Sequence, residues 1–373
     1  MGEVDIGLGR SARVGYALED LAIVPSRRTR DPDEVDLGWQ LDAFRLELPV
    51  LVAPLDAVVS PASAALAGRL GALAVLDLEG LWTRHEDPAP LLASLAGLDP
   101  ERAVARLREL YAAPVRRDLL VARIAELRAA GLSAGAVSPR CVAELGPALV
   151  EAELDLLVIA GTVVSAEHVA RGGEPLNLKR FIRELDLPVV VGGCASYQAA
   201  LHLMRTGAVG VLVGVPSAPG ERCGIEPVLG IGAPLATAIA DAAAARTRHL
   251  EETGVYVQVI ATGGLRTGAE VAVAIACGAD AVMLGAPFAA AREAPGGGAL
   301  WGASGAHRSL PLGGWWREPV TTTFAELLRG PARAADGRTN LVGALRAAMA
   351  LCGYASVREL HKAELVLRRP PGR

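Results

Sequence analysis

Several residue types and patterns are scarce in this sequence of 373 residues, and each scarcity excludes a class of protein. Lysine occurs only at Lys179 and Lys362, and no basic cluster offsets the net charge of −4. This balance argues against nucleic acid or an anionic membrane as the partner. No apolar run reaches the roughly 18 residues that cross a bilayer. The first residues are charged and lack an apolar core, so we expect no signal peptide and a cytoplasmic location.

Cysteine is also scarce, and its pattern excludes two kinds of site. The cysteines are five in number, with no two close together, so we expect neither a disulfide framework nor a zinc site. Cys141, Cys277 and Cys352 lie in helix-like apolar settings and are interpreted as core residues. A role in a site stays open for Cys194, at the end of a predicted strand. The six histidines are scattered, and no metal site is predicted.

What the sequence does contain is a series of short apolar runs that end in small residues, most of them followed by helical patterns. There are eight, at residues 49–53, 73–77, 133–137, 156–160, 188–192, 209–213, 257–261 and 281–285. Several are apolar throughout, which is typical of parallel strands covered on both faces. Eight such units in roughly 300 residues predict a single (β/α)8 TIM barrel over residues 1–373. The alternative, an open doubly wound sheet, would need an early G-x-G-x-x-G turn, and none is present.

Two longer segments interrupt this order. Residues 84–131 are polar and helical and predict a short, exposed insertion between the second and third strands. Residues 286–340 are rich in Gly, Pro, Arg and Trp. A long irregular stretch on a barrel rim is typical of a flap or lid over a site, and a subunit-contact extension is the alternative.

The stretch 211–284 carries two glycine turns that suit a phosphate. Two of its apolar runs stop at Gly263-Gly264 and at Gly285, and Thr267 and Glu270 have the spacing of a capping box that opens a helix. Backbone amides in such turns, beside a helix N-terminus, form a site for phosphate. TIM barrels often hold phosphate after the seventh and eighth strands, where these turns fall.

A candidate nucleophile precedes these turns by one unit. Cys223 lies in a loop rich in Gly and Pro, after Gly220 and Arg222. An adjacent guanidinium can stabilise a thiolate, which is the nucleophilic form of cysteine.

Several phrases in the same order over nearly the whole chain resemble the IMP dehydrogenase/GMP reductase family. They include P-L-D-A-V at 54–58, the Cys223 loop, G-G-L-R-T-G-A-E at 263–270 and A-L-R-A-A-M-A-L-C-G-Y at 344–354. The chain looks closest to the bacterial IMP dehydrogenase-related branch that lacks CBS domains, because L-E-G-L-W-T-R-H-E-D-P at 78–88 and V-S-A-E-H-V-A at 164–170 look like phrases of that branch. Residues 84–131 are also too few for a pair of CBS domains. The resemblance implies a homotetramer.

The resemblance also implies a reaction. A cysteine thiolate adds to C2 of a purine nucleoside 5′-monophosphate, and hydride passes to NAD in the dehydrogenase or arrives from NADPH in the reductase. The covalent thioimidate is then hydrolysed or resolved. NADP in place of NAD, and a potassium ion in the cysteine loop, are further possibilities.

The same resemblance assigns roles to individual positions. Cys223 is the nucleophile, and Glu226 and Arg317 are candidates to activate water. The nicotinamide cofactor is expected near Gly161, Thr162 and Gly214. The substrate is expected at Asp56, Gly220, Glu221, Arg222, Thr262, Gly263, Gly264, Gly285 and Gly302.

The chain departs from the family pattern at several of these positions. Glu221 replaces a serine that helps to hold phosphate, and a carboxylate about 4 Å from a phosphate charge costs roughly 4 kcal/mol at an effective dielectric constant near 20. Ile225 replaces a proton-transferring threonine, while Thr262 and Ala160 replace aspartates that bind ribose. No Arg-Tyr pair occurs in 286–340, although Arg317 offers an arginine.

Three hypotheses for function follow. The first is an IMP dehydrogenase-like enzyme that oxidises IMP to XMP, and the second is a GMP reductase-type reaction. The third is a family member that binds a nucleotide or a partner enzyme without turnover. A flavin-dependent barrel enzyme is a fourth possibility, since the glycine turns can also hold the phosphate of FMN.

Overall fold

The computed structural model describes residues 2–95, 97–167, 176–215, 229–301 and 315–368. Before the barrel come β1 (Glu3–Gly7) paired with β2 (Arg10–Arg13), β3 (Leu21–Ile23), and a hairpin of β4 (Trp39–Leu41) and β5 (Phe44–Leu46). The barrel strands are β6 (Val50–Val52), β7 (Leu73–Ala74), β8 (Leu76–Asp77), β9 (Ala134–Val137), β10 (Leu156–Ala160), β11 (Val189–Cys194), β12 (Gly210–Val213), β13 (Gln258–Thr262) and β14 (Ala281–Leu284). The later strands are β15 (Ala299–Leu300), β16 (Trp316–Arg317) and β17 (Leu365–Leu367).

The barrel strands are parallel, and each pairs with its neighbour in chain order, with β14 returning to pair with β6. The second predicted strand is divided at Val75: β7 pairs with β6, and β8 pairs with β9. The ring of strands therefore runs through this divided strand. All eight predicted strands are present, and the predicted (β/α)8 TIM barrel is confirmed.

Helices connect successive barrel strands, and others follow the last of these strands. They are α1 (Pro61–Arg69), α2 (Ala89–Leu95), α3 (Pro100–Tyr111), α4 (Arg117–Ala130), α5 (Val142–Glu151), α6 (Leu178–Glu184), α7 (Tyr197–Met204), α8 (Leu235–Thr253), α9 (Gly268–Ala276), α10 (Ala286–Ala289), α11 (Phe324–Arg329), α12 (Leu341–Leu351) and α13 (Val357–Leu360). The predicted capping box at α9 is confirmed, because Thr267 accepts from the amide of Glu270 and Glu270 accepts from the amide of Thr267. In the part of the chain that the structure describes, no helix is both long enough and apolar enough to span a membrane.

The core has two layers, which explains why the strands are apolar throughout. Along β10, Leu156 and Val158 belong to the cluster inside the ring, while Leu157 and Ile159 belong to the cluster between strands and helices. Side chains alternate along a strand, so burial on both faces demands an unbroken apolar run. Trp39 from the β4–β5 hairpin joins the inner cluster.

The segment 84–131 is helical, but the expectation that it is an exposed insertion is wrong for its apolar side chains. Leucines on all three of its helices, α2, α3 and α4, are buried: Leu92, Leu95, Leu107, Leu110, Leu120 and Leu127. The many charged residues between them lie on the outer faces. The polar average composition therefore concealed amphipathic helices that pack on the protein.

The described parts of 286–340 also pack closely. Phe288 on α10 and Phe324 on α11 are buried and meet edge to face with ring centroids 4.9 Å apart. β15 and β16 form an antiparallel pair. The rings of Trp301 and Trp315 stack with their centroids 5.7 Å apart.

Candidate active site

The carboxyl ends of the parallel strands form one rim of the barrel, and most predicted site residues that the structure describes lie there. The rim divides into two parts with different chemistry. We call the side chains that follow the first two strands, Asp56, Asp77 and Glu79, the acidic arc. We call the residues at the carboxyl ends of β10 to β14 and directly after them the glycine arc, because the carboxyl end of each of these strands has a glycine: Gly161, Gly193, Gly214, Gly263, Gly264 and Gly285.

In the glycine arc, neighbouring backbones approach so closely that side chains are excluded. A Cβ on Gly214 would lie 1.9 Å from the carbonyl oxygen of Thr262, and its φ of +128° also disfavours other residues. A Cβ on Gly193 would lie 2.7 Å from the carbonyl oxygen of Gly214 and 3.1 Å from that of Thr162. Gly214 therefore lies next to Thr262, and the backbone of Gly193 lies between Gly214 and the other predicted cofactor positions, Gly161 and Thr162.

Two hydroxyl groups remain available on this bare surface. Thr162 and Thr262 are half-buried, and no hydrogen bond to either hydroxyl is found among the described residues. A threonine hydroxyl can both donate and accept a hydrogen bond. The glycine arc can therefore contact the hydroxyl groups of a ligand as well as present its backbone.

The N-terminus of α9 is less open than the sequence suggested. The Glu270 carboxylate accepts from the amides of Arg266 and Thr267, at 2.7 Å and 2.8 Å, and so occupies two of the donors at this helix end. Within the described chain, no hydrogen bond engages the amides of Gly263 and Gly264. A phosphate at this turn would therefore be bound by the glycine amides rather than by the helix.

Asp56 in the acidic arc is 1% exposed and faces the protein interior. Its Oδ2 accepts from the amide of Leu81 at 2.8 Å and from the hydroxyl of Tyr111, whereas its Oδ1 has no partner in the described chain. Burial raises the pKa of Asp56 to about 6, although these two hydrogen bonds and the nearby Arg84 act in the opposite direction. This carboxyl group therefore titrates near neutral pH.

The other two members of the acidic arc are also held by local bonds. Asp77 accepts from the amide of Glu79 at 2.9 Å, and burial, followed by the charge of Asp56, raises the pKa of Asp77 well above its ordinary value. The Glu79 carboxylate accepts from the amide of Ser138 and, at 3.2 Å, from its hydroxyl. The arc thus links the ends of the first three strands.

Two residues that the sequence analysis did not assign to the site complete this network. Tyr111 ends helix α3 in segment 84–131 and donates to Asp56, and the indole nitrogen of Trp301 donates to the Tyr111 hydroxyl at 3.0 Å. Burial raises the pKa of Tyr111, so it remains a donor. Tyr111 is the single tyrosine in 84–131 and continues the buried face of an amphipathic helix, a signal that could have drawn attention to it.

Burial disfavours the thiolate form of each of the four described cysteines. Desolvation raises the pKa of Cys194 to about 12 and that of Cys277 to about 11, and it also raises the pKa of Cys141 and Cys352. Cys194 is 2% exposed and its thiol is 3.5 Å from the carbonyl oxygen of Leu212. The site role left open for Cys194 is therefore not supported. Among the described residues, no group of three or more potential ligands could hold a metal ion.

The sequence model of the family described as IMP dehydrogenase / GMP reductase domain matches residues 15–306 of this chain. The chain belongs to the IMP dehydrogenase/GMP reductase family. An uncharacterized oxidoreductase of Mycobacterium leprae is 51% identical over 98% of this chain and 99% of its own length. The crystal structure of an IMP dehydrogenase/GMP reductase-like protein from Corynebacterium glutamicum has a TM-score of 0.92 and 42% identity, with 98% of each chain covered. The inosine-5′-monophosphate dehydrogenase of Methanocaldococcus jannaschii is 32% identical over 61% of this chain and 49% of its own length.

Several residues to which the family resemblance gives roles lie outside the described residues: Gly220, Glu221, Arg222, Cys223, Glu226 and Gly302. Of the described residues that flank this stretch, Gly214 lies next to Thr262, and Leu235 is the first residue of α8. Arg317 lies on β16, where its exposed guanidinium donates to the carbonyl oxygen of Gly297 at 3.1 Å.

Proposed function

We propose that this family member is an oxidoreductase that converts IMP to XMP with NAD through a covalent bond to Cys223. The observation that carries the proposal is the state of the other cysteines. Burial raises the pKa of all four described thiols, whereas a nucleophile must be available as thiolate near neutral pH. Cys223 is the remaining cysteine, and in the sequence it follows Gly214 of the glycine arc.

The proposed reaction begins with attack of the Cys223 thiolate on C2 of the purine, which forms an S–C2 bond. The hydrogen on C2 leaves as hydride, which NAD accepts when it is bound. Water then adds to C2 of the thioimidate, the S–C2 bond breaks, and the thiolate returns as XMP leaves. One proton is released to water, and Glu226 and Arg317 are the candidates to assist its removal.

The described part of the rim fits a nucleotide and a nicotinamide cofactor. The glycine arc presents backbone without side chains, so flat rings can approach closely. Gly263 and Gly264 offer free amides for a phosphate, and the hydroxyls of Thr262 and Thr162 can bond to ribose. A threonine contributes fewer acceptor positions than the aspartate of the family pattern, so we expect weaker ribose binding than a carboxylate would give.

The assay that tests this proposal is NADH formation by the purified protein with IMP and NAD, in the presence and absence of potassium. Cys223→Ala should abolish turnover and leave IMP binding, measured by calorimetry, within a few-fold. Cys277→Ala removes a thiol of high pKa and should leave turnover unchanged. Absence of NADH formation by the wild-type protein, or turnover that survives in Cys223→Ala, would overturn the proposal.

A reductase-type reaction is the second candidate, favoured by the absence of an Arg-Tyr pair from residues 286–340. Oxidation of NADPH in the presence of GMP, with release of ammonia, would identify it. Binding of IMP without either reaction would identify a non-catalytic member. The homotetramer implied by the family is part of the proposal, and light scattering after size exclusion measures it.

A further inference from the structure

A cavity lies at the amino end of the barrel, opposite the candidate active site. Its volume is about 390 Å3, and its walls include Trp39, Arg45, Gln258, Asp280 and Arg358. Gln258 and Asp280 mark the starts of β13 and β14, whereas Thr262 and Gly285 at the other ends of these strands lie on the active-site rim. Cavities of this size bind small molecules in many proteins.

The clearest sign that this cavity takes a ligand is Gln258. Its side chain is buried, with the residue 6% exposed, yet its carboxamide makes no hydrogen bond within the described chain. In the described chain this carboxamide is not one of the polar groups that are both sealed from solvent and unpaired, so it keeps some accessible surface, and it offers two donors and an acceptor. Gln258 lines the cavity, so a ligand there can satisfy it.

The acidic residue in the wall does not make the cavity negative. Asp280 accepts three hydrogen bonds of 2.7 Å, from the guanidinium of Arg246, the hydroxyl of Tyr256 and the amide of Val259. The side chains of Arg246 and Asp280 are 9% and 3% exposed, so their charges are paired inside the protein. Because its carboxylate oxygens already accept these bonds, Asp280 has little capacity left to bind a cation.

The remaining charge on the wall is positive. Arg358 lies over the ring of Tyr256 with its guanidinium carbon 4.3 Å from the centroid, and no carboxylate pairs with it among the described residues. Arg45 is paired with Asp36 at 2.9 Å. Arg358 thus contributes an unpaired guanidinium whose planar donors match a carboxylate or phosphate group.

We propose that the amino-end cavity binds a small organic anion through a carboxylate or phosphate group. The anionic group meets the guanidinium of Arg358 and accepts a hydrogen bond from the carboxamide of Gln258. The remainder of the ligand lies in the cavity against Trp39. This site does not depend on the proposed reaction at the opposite rim.

Calorimetric titration of the full-length protein at low ionic strength tests the proposal with two probes, sodium succinate and inorganic phosphate. We expect saturable binding of at least one probe, and the stronger probe identifies the anionic group. Arg358→Gln and Gln258→Leu should each weaken that binding by tenfold or more. Arg69→Gln removes an exposed arginine from α1, far in sequence from the cavity, and should leave the affinity unchanged.

Arg358→Lys keeps the charge but loses the planar guanidinium, so it should retain part of the affinity. It also gives a folded reference if Gln258→Leu, a substitution at a buried position, fails to fold. The proposal is overturned if neither probe binds saturably, or if Arg358→Gln binds as the wild-type protein does. A change of oligomeric state in Arg358→Gln without probe binding would assign the cavity to a contact between copies and would also overturn it.

Discussion

The acidic arc and the glycine arc occupy the same rim but expose different chemistry. In the acidic arc, the carboxylates of Asp56 and Glu79 bond to protein amides and hydroxyls, and burial shifts the pKa of Asp56 to about 6. In the glycine arc, close backbone approach excludes side chains at Gly193 and Gly214, and the hydroxyls of Thr162 and Thr262 have no hydrogen-bond partner among the described residues. The difference shows that the acidic arc joins segment 84–131 to Trp301 through Tyr111, and our proposal assigns the ligand contacts to the glycine arc.

The largest effect on the free energy of unfolding is expected when one methyl group is added to the glycine arc. Gly214→Ala places a Cβ 1.9 Å from the carbonyl oxygen of Thr262 at a φ of +128°, so we expect a loss of about 4 kcal/mol in the free energy of unfolding. Urea denaturation measures it. Gly254→Ala is the matched control, because that glycine has a φ of +74° and no atom within 4 Å of the added Cβ. It should cost about 1 kcal/mol, and equal losses in the two variants would contradict the close approach.

A smaller effect is expected when the acidic arc loses a charge. The folded-state pKa of Asp56, about 6, is above its ordinary value of 3.8, so the folded protein holds this proton more tightly than the unfolded chain. The protonated Asp56 therefore makes its full contribution to the free energy of unfolding below pH 3.8. This contribution falls by up to about 3 kcal/mol as the pH rises through about 6. Asp56→Asn should remove this loss in unfolding experiments between pH 4.5 and 7.

The exposed Asp42→Asn is the control for charge removal and should keep the pH dependence of the wild-type protein. If Asp56→Asn keeps the same slope as Asp42→Asn, the buried carboxyl group is not the source of the pH dependence.

The smallest effect on stability is expected at an ion pair between Arg266, which follows the glycine turn, and Glu318, which follows β16. Arg266 pairs with Glu318, and their side chains are 26% and 16% exposed. A double-mutant cycle with Arg266→Gln and Glu318→Gln should give a coupling free energy of about 1 kcal/mol. The Arg106–Glu109 pair on α3, at 40% and 66% exposed, should give less than about 0.5 kcal/mol. If the coupling free energy of the Arg266–Glu318 pair is no larger than that of the Arg106–Glu109 pair, the Arg266–Glu318 pair does not stabilise the fold appreciably.

The fold could be predicted from the sequence because every barrel strand carries its own signal. Burial on both faces requires a continuous apolar run, and all eight runs became strands. The division of the second strand at Val75 could not be predicted, since it depends on which neighbour each half meets. The buried leucines of 84–131 were obscured because charged residues dominate the composition of amphipathic helices.

The candidate site was predictable where backbone geometry defines it and unpredictable where distant side chains meet. The glycine turns followed from strand ends and local spacing. The contact of Tyr111 with Asp56 and Trp301 joins residues far apart in sequence, and no local pattern specifies such a contact. Likewise, Glu270 accepts hydrogen bonds from two backbone amides at the N-terminus of α9, those of Arg266 and Thr267. The capping-box spacing predicts only the bond from Thr267.

The most direct test of the central claim, that Cys223 is the reactive thiol of a purine nucleotide site, is alkylation of the native protein by iodoacetamide at pH 7. Peptide mass mapping over time gives the rate at each of the five cysteines. We predict that Cys223 is modified first and that IMP slows its modification. Modification of Cys141, Cys194, Cys277 or Cys352 at the same rate, or no protection by IMP, would contradict the claim.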